Sequence, residues 1–186
     1  NILGEFERTI NFGPVSRTLN QFRVPLPPEH PAGLVDWVAG ASVMFRFSAL
    51  QEVGFFDPGY FLYYEEVDLM RRLKDNGWEV HYLPEARILH IGQVATGVDE
   101  QSRQPAYLYR SWRRYFSYSG RVYALFASAS ITIGSIFGRM IAGILRRPSH
   151  VPSYFFRDHW RYVVAPLLGL RRDTEYDTDS KRPGPT

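Results

Sequence analysis

The stretch Tyr60-Phe-Leu-Tyr-Tyr-Glu-Glu-Val-Asp-Leu-Met-Arg-Arg-Leu-Lys-Asp-Asn-Gly-Trp78 decides how this chain is read. An aromatic run empties into Glu65, Glu66 and Asp68 and then takes on helical spacing, with Leu69, Met70 and Leu73 on one face and Gly77 placed to stop the helix. The expected helix runs from about Glu65 to Asn76, with Asp68 and Arg72 four residues apart as a surface ion pair. Carboxylates at a helix start are favoured by unpaired backbone N–H groups and by the macrodipole. Helix capping alone accounts for any one of the three; three together point to a site.

Working outward, Trp37 to Phe47 reads as a buried strand, with Gly40 marking a bulge or a close approach. Ser48 and Gln51 form an S-x-x-Q capping box that opens a short helix, ended by Gly54 after Val53. Asp57, Pro58 and Gly59 make a turn, with Asp57 as its Asx residue. Beyond Gly77, Trp78 to Leu83 and Ala86 to Ile91 read as strands, the second carrying His90. The order is strand, helix, helix, strand, strand, a mixed α/β layer. Residues 1–36, with Pro14, Pro25, Pro27, Pro28 and Pro31, read mostly as loop.

Charge divides the 186 residues. Residues 1–100 hold 8 Lys and Arg against 14 Asp and Glu, whereas residues 101–172 hold 12 Arg and one acid, Asp158. An acidic, mixed front is thus followed by a basic, aromatic, helical extension suited to an anionic partner. Tyr107 to Tyr118 reads as a basic helix, Val122 to Leu145 as a long apolar one, and Tyr154 to Leu170 repeats the theme. The long segment could span a bilayer by length, but its hydroxyl residues and Arg139 favour a peripheral or re-entrant position between flanking arginines; a buried helix of the domain is the other reading. Residues 173–186 read as a disordered tail. Basic residues interleaved with apolar runs, and the lack of a recognition motif, speak against nucleic acid. With no Cys, there is no disulfide framework, and a metal would need oxygen or imidazole ligands. No initiator Met, basic leader or apolar signal core opens the chain, so no secretory signal is expected in it.

Several motifs stand in order from Trp37 to His90: Trp37-Val-Ala-Gly40-Ala41, Arg46 to Asp57, Tyr60 to Arg72, Gly77-Trp78, and Pro84-Glu85-Ala86 to His90. This series resembles the acceptor half of the catalytic domain of family-2 glycosyltransferases, specifically the bacterial rhamnosyltransferase-like group. The resemblance implies an α/β chain, a partial GT-A fold with a Rossmann-like mixed sheet over residues 1–100, followed by the α-helical basic extension over residues 101–172. It implies an inverting glycosyltransferase that moves a sugar, rhamnose being one candidate, from a nucleotide-diphosphate donor to a lipid-linked or polysaccharide acceptor in cell-surface glycan synthesis. The setting implied is the cytoplasmic face of a bacterial inner membrane, with an anionic membrane surface as partner.

By the same resemblance Glu66 is the general base, with Glu65 the alternative in the same pair, and Asp68 either belongs to the catalytic cluster or orients the loop through Arg72. A carboxylate within hydrogen-bond reach can take the proton of a sugar hydroxyl as it attacks the anomeric carbon. His90 would help hold a divalent cation, Mg or Mn, in a site left incomplete because no D-x-D motif occurs in residues 1–36. Trp37, Gly40, Asp57 and Tyr64 fall in acceptor-binding segments, although Trp37 and Tyr64 read equally well as core aromatics. The family's donor-binding half has no counterpart in this sequence, so residues 1–186 alone are expected to be catalytically silent. The alternative is a non-catalytic membrane-docking module on the same fold.

Overall fold

The helix expected from about Glu65 to Asn76 is present in the computed structural model, which describes residues 1–10, 12–22, 30–89 and 103–170. It is α4, Glu65–Asp75, and in chain order it follows α1 (Ile2–Ile10), α2 (Gly13–Thr18), a 3-10 turn (Asn20–Phe22), β1 (Gly33–Leu34) and α3 (Phe47–Val53). After α4 come β2 (His81–Tyr82), α5 (Ala106–Ser117), α6 (Arg121–Ile144), α7 (Phe155–His159), a π-helical turn (Trp160–Val164) and α8 (Ala165–Leu167). Gly77, at φ 83°, ends α4 in a Schellman arrangement: the Gly77 amide donates to the Lys74 carbonyl and the Trp78 amide to the Leu73 carbonyl, each at 3.0 Å.

The described residues are mostly helical, and their only sheet is one antiparallel pair, Gly33 opposite Tyr82 and Leu34 opposite His81. The mixed sheet expected from the sequence is therefore not seen among them. Trp37 to Phe47 is irregular up to the start of α3, its small residues Ala39, Gly40, Ala41 and Ser42 lying in turns. Only His81 and Tyr82 of the Trp78–Leu83 segment pair as a strand, and Ala86 to Leu89 is irregular; His90, Ile91 and the tail lie outside the described residues. Residues 1–36 depart in the other direction. Pro14 falls in the first turn of α2, where a missing N–H costs nothing, and α1 precedes the prolines altogether. The capping box is also replaced: α3 starts two residues earlier, with Arg46 as N-cap, no side-chain cap, and Ser48 inside the first turn.

Two cores result. The smaller joins Ala49 of α3 to Leu69 and Leu73 of α4, with Trp78 and Val53 against them. The larger joins Tyr109, Trp112 and Phe116 of α5 to Ala124, Ala127 and Ile131 of α6 and to Phe155, Val163 and Leu167, and it takes in Ile2 of α1 and Tyr64 of the pivotal stretch. Front and back of the chain thus share one core. Helices α1 and α6 approach closely at the glycines of α6: a Cβ on Gly138 would stand 2.5 Å from the Thr9 carbonyl oxygen, and Ser130 Oγ donates to the Ile2 carbonyl at 2.8 Å.

Away from α1, α6 leaves Val122, Phe126, Ile133, Phe137, Met140 and Ile144 exposed at helical spacing. By length and composition α6 could cross a membrane, and it is the one such helix among the described residues. Arg139 does not interrupt that stripe, since its guanidinium is drawn to the Pro152 carbonyl (3.1 Å) and over the Phe156 ring (5.1 Å).

Candidate functional site

The site forms where the aromatic loop enters α4. Tyr63 and Tyr64 both adopt left-handed backbone, at φ 67° and 69°, a conformation that costs free energy for any residue with a Cβ. Those two residues turn the chain so that α4 begins with Glu65 and Glu66. Each glutamate is partly buried, and each has its Oε2 atom buried without a hydrogen-bond partner among the described residues. Desolvation, and then the neighbouring Glu66 charge, raises the Glu65 carboxyl above its ordinary range. Gly40 closes over the pair: a Cβ there would lie 3.6 Å from Glu66 Cβ and 3.8 Å from its carboxyl carbon.

Tyr64 stands beside these carboxylates. Burial, then the Glu5 charge and more weakly that of Glu66, pushes its phenol well above the usual tyrosine range and keeps it protonated. Glu5 was not among the residues singled out from sequence. It is buried at the seam between α1 and α5, where Trp112 Nε1 donates to Glu5 Oε2 at 2.9 Å and Arg8 pairs with the same oxygen at 2.8 Å. The signals available were Ile2, Phe6 and Ile10 at four-residue spacing and Arg8 three residues after Glu5.

Asp68 is built differently. Rather than a surface pair, it is buried, its two oxygens engaged by Arg71 and by Arg72 Nε (2.9 Å). Arg72 also donates to the carbonyls of Val53 (2.7 Å), Gly54 (2.6 Å) and Phe55 (2.8 Å), so Asp68 locks α4 onto the end of α3. Asp57 is the Asx residue expected, its Oδ1 accepting from the Gly59 amide at 2.8 Å. It is also gripped by Arg114 through Nε (2.9 Å) and Nη2 (3.0 Å). Burial alone would raise its carboxyl; the Gly59 amide and Arg114 together hold it below the ordinary range.

The structure thus brings Gly40, Tyr64, Glu65 and Glu66 together. Trp37 lies apart from them, on a cleft of about 840 Å3 shared with Trp78, Val67, Arg71 and Lys74. Asp57 and Asp68 border a second cleft, of about 430 Å3, with Tyr60, Arg113 and Arg114. His90 lies outside the described residues. Among the described residues no group of three or more Asp, Glu and His side chains is disposed to hold a metal ion, and Asp68 is taken up by guanidinium groups. The described residues by themselves therefore do not make up a cation site.

Comparison with known proteins follows the same lines. Over 81 residues, 44% of this chain, the sequence is 42% identical to an N-acetylglucosaminyl-diphospho-decaprenol L-rhamnosyltransferase of Mycobacterium tuberculosis. Over 72 residues, 39% of this chain, it is 38% identical to the rhamnosyltransferase WbbL of Escherichia coli. These matches span 25% and 27% of the lengths of the two relatives. No solved structure matches the chain. The model of glycosyl transferase family group 2 matches residues 5–170, which takes in the α4 carboxylates together with α1 and most of the helical back half. The chain belongs to glycosyl transferase family group 2.

Proposed function

We propose that the protein carrying this chain is an inverting glycosyltransferase that moves a sugar, rhamnose by analogy with its relatives, from a nucleotide-diphosphate donor to a polyprenyl-diphosphate-linked or polysaccharide acceptor. The observation that carries this reading is the pair of glutamates at the start of α4, each with an unpartnered carboxylate oxygen, with Gly40 facing Glu66. Gly40 presents no side chain to Glu66, and the unpartnered carboxylate oxygen can accept the proton of a sugar hydroxyl as the hydroxyl attacks the anomeric carbon and the nucleoside diphosphate departs. In this reading Glu66 is the base and the raised carboxyl of Glu65 is its proton-sharing neighbour. Tyr64 supplies a phenol donor to the acceptor, and Asp68 positions the helix without touching substrate.

Membrane association belongs to the same proposal. The exposed stripe of α6, backed by an arginine-rich surface, suits a helix lying in the plane of an anionic membrane at the cytoplasmic face of the bacterial inner membrane. In this reading a lipid-linked acceptor reaches the α4 carboxylates from the membrane surface. The base assignment is tested by Glu66→Gln in the full-length protein. Turnover should fall by about 10²- to 10⁴-fold with unchanged thermal stability, and wild-type turnover would rule Glu66 out.

A further inference from the structure

The left-handed pair Tyr63 and Tyr64 persists only if something outside the loop holds it. Several of the contacts that hold it come from one helix of the back half, α5. Ser111, only 3% exposed, donates its hydroxyl to the Leu62 carbonyl at 2.9 Å. Tyr107 stacks on Tyr63 with ring centres 6.2 Å apart and planes 18° apart, and Tyr115 packs on Tyr64 at 5.3 Å. Arg114 forks Asp57 at the upstream end of the same loop and lies over the Tyr60 ring at 5.4 Å. Positions 107, 111, 114 and 115 fall on one face of the helix, so a single surface of α5 grips the loop from Asp57 to Tyr64.

We infer that α5 is the positioning element of the catalytic loop, with Ser111 and Arg114 as positioning residues that hold the Glu65–Glu66 carboxylates where the acceptor hydroxyl must meet them. The role in turnover rests on the function proposed above; the hold on the loop does not. Ser111 is the more informative of the two, because its hydroxyl satisfies a carbonyl directly upstream of the strained pair and touches neither carboxylate. The back half then serves more than membrane contact, since its first helix sets the geometry of the front half's chemistry.

The test uses Ser111→Ala and Ser111→Thr in the full-length protein, read by amide hydrogen exchange over residues 62–67 and by steady-state kinetics. Ser111→Ala should speed exchange in that segment about tenfold, leave residues 124–135 of α6 unchanged, and lower kcat about ten- to a hundredfold with KM within about twofold. Ser111→Thr, which keeps the hydroxyl, should restore both, and Ser111→Ala should add no further loss in a Glu66→Gln background. Should Ser111→Ala fail to fold, Arg114→Lys keeps the charge, loses the fork on Asp57, and should speed exchange over residues 57–64. Unchanged exchange in these variants would overturn the inference, as would faster exchange with wild-type kcat. Failure of the base assignment shows separately, as wild-type turnover by Glu66→Gln whatever Ser111 does.

Discussion

The two cores and the seam between them treat their ionisable groups in opposite ways. In the large helical core, Asp158 is buried against Arg103 (2.7 and 3.0 Å), and His159 meets the Ser128 hydroxyl at 2.7 Å and stacks on Phe155 at 5.1 Å. In the small core Asp68 is likewise paired. At the seam between the cores, Glu65 and Glu66 each leave a buried oxygen without a partner among the described residues, on a helix entered through two strained residues. Paired buried charge holds the scaffold, and the unpaired carboxylates mark where chemistry is available.

This contrast can be broken at several points. Replacing Asp68 by Ala should be the most damaging to stability, about 3–5 kcal/mol in urea unfolding, because it strands two guanidinium groups. Next comes acid. Burial lowers the His159 pKa from 6.5 to about 4, so the unfolded chain binds the proton more readily between those values. Stability should therefore be intact above pH 6.5 and fall by about 3 kcal/mol as the pH drops towards 4. His159→Phe should flatten that slope when stability is followed against pH. Gly138→Ala should cost about 1–3 kcal/mol by forcing α1 off α6, seen as a lowered Tm. Smallest in energy, replacing Phe126 and Phe137 together by Glu should weaken partition onto vesicles of phosphatidylglycerol and phosphatidylcholine by at least about tenfold in sedimentation.

Local signals in the sequence located α4, its Gly77 stop, the Asx turn at Asp57 and helices α5 and α6. Each depends on residues close together in the chain, where spacing and backbone preference act directly. What the sequence did not disclose was long-range. The Trp37–Phe47 segment is apolar enough for a strand, but a strand exists only with a partner, and none among the described residues pairs with it. Prolines in residues 1–36 hid α1, which precedes them and is held by the glycine face of α6 some 130 positions away. Asp68 looked like a surface charge because Arg72 follows at helical spacing; its burial comes from the end of α3, which no local pattern announces. The proximity of Gly40 to Glu66, the place of Trp37 on a separate cleft and the grip of α5 on the loop all depend on packing between segments distant in the chain.

The most direct test is an incorporation assay with the full-length protein, labelled nucleotide-diphosphate sugars and membranes that carry lipid-linked and polysaccharide acceptors. The glycosyltransferase assignment predicts that label passes into the lipid-linked or polysaccharide fraction with inversion at the anomeric carbon and that Glu66→Gln lowers the transfer by about 10²- to 10⁴-fold. Absence of labelled glycan across nucleotide-sugar donors, or equal transfer by the Glu66→Gln protein, would contradict it.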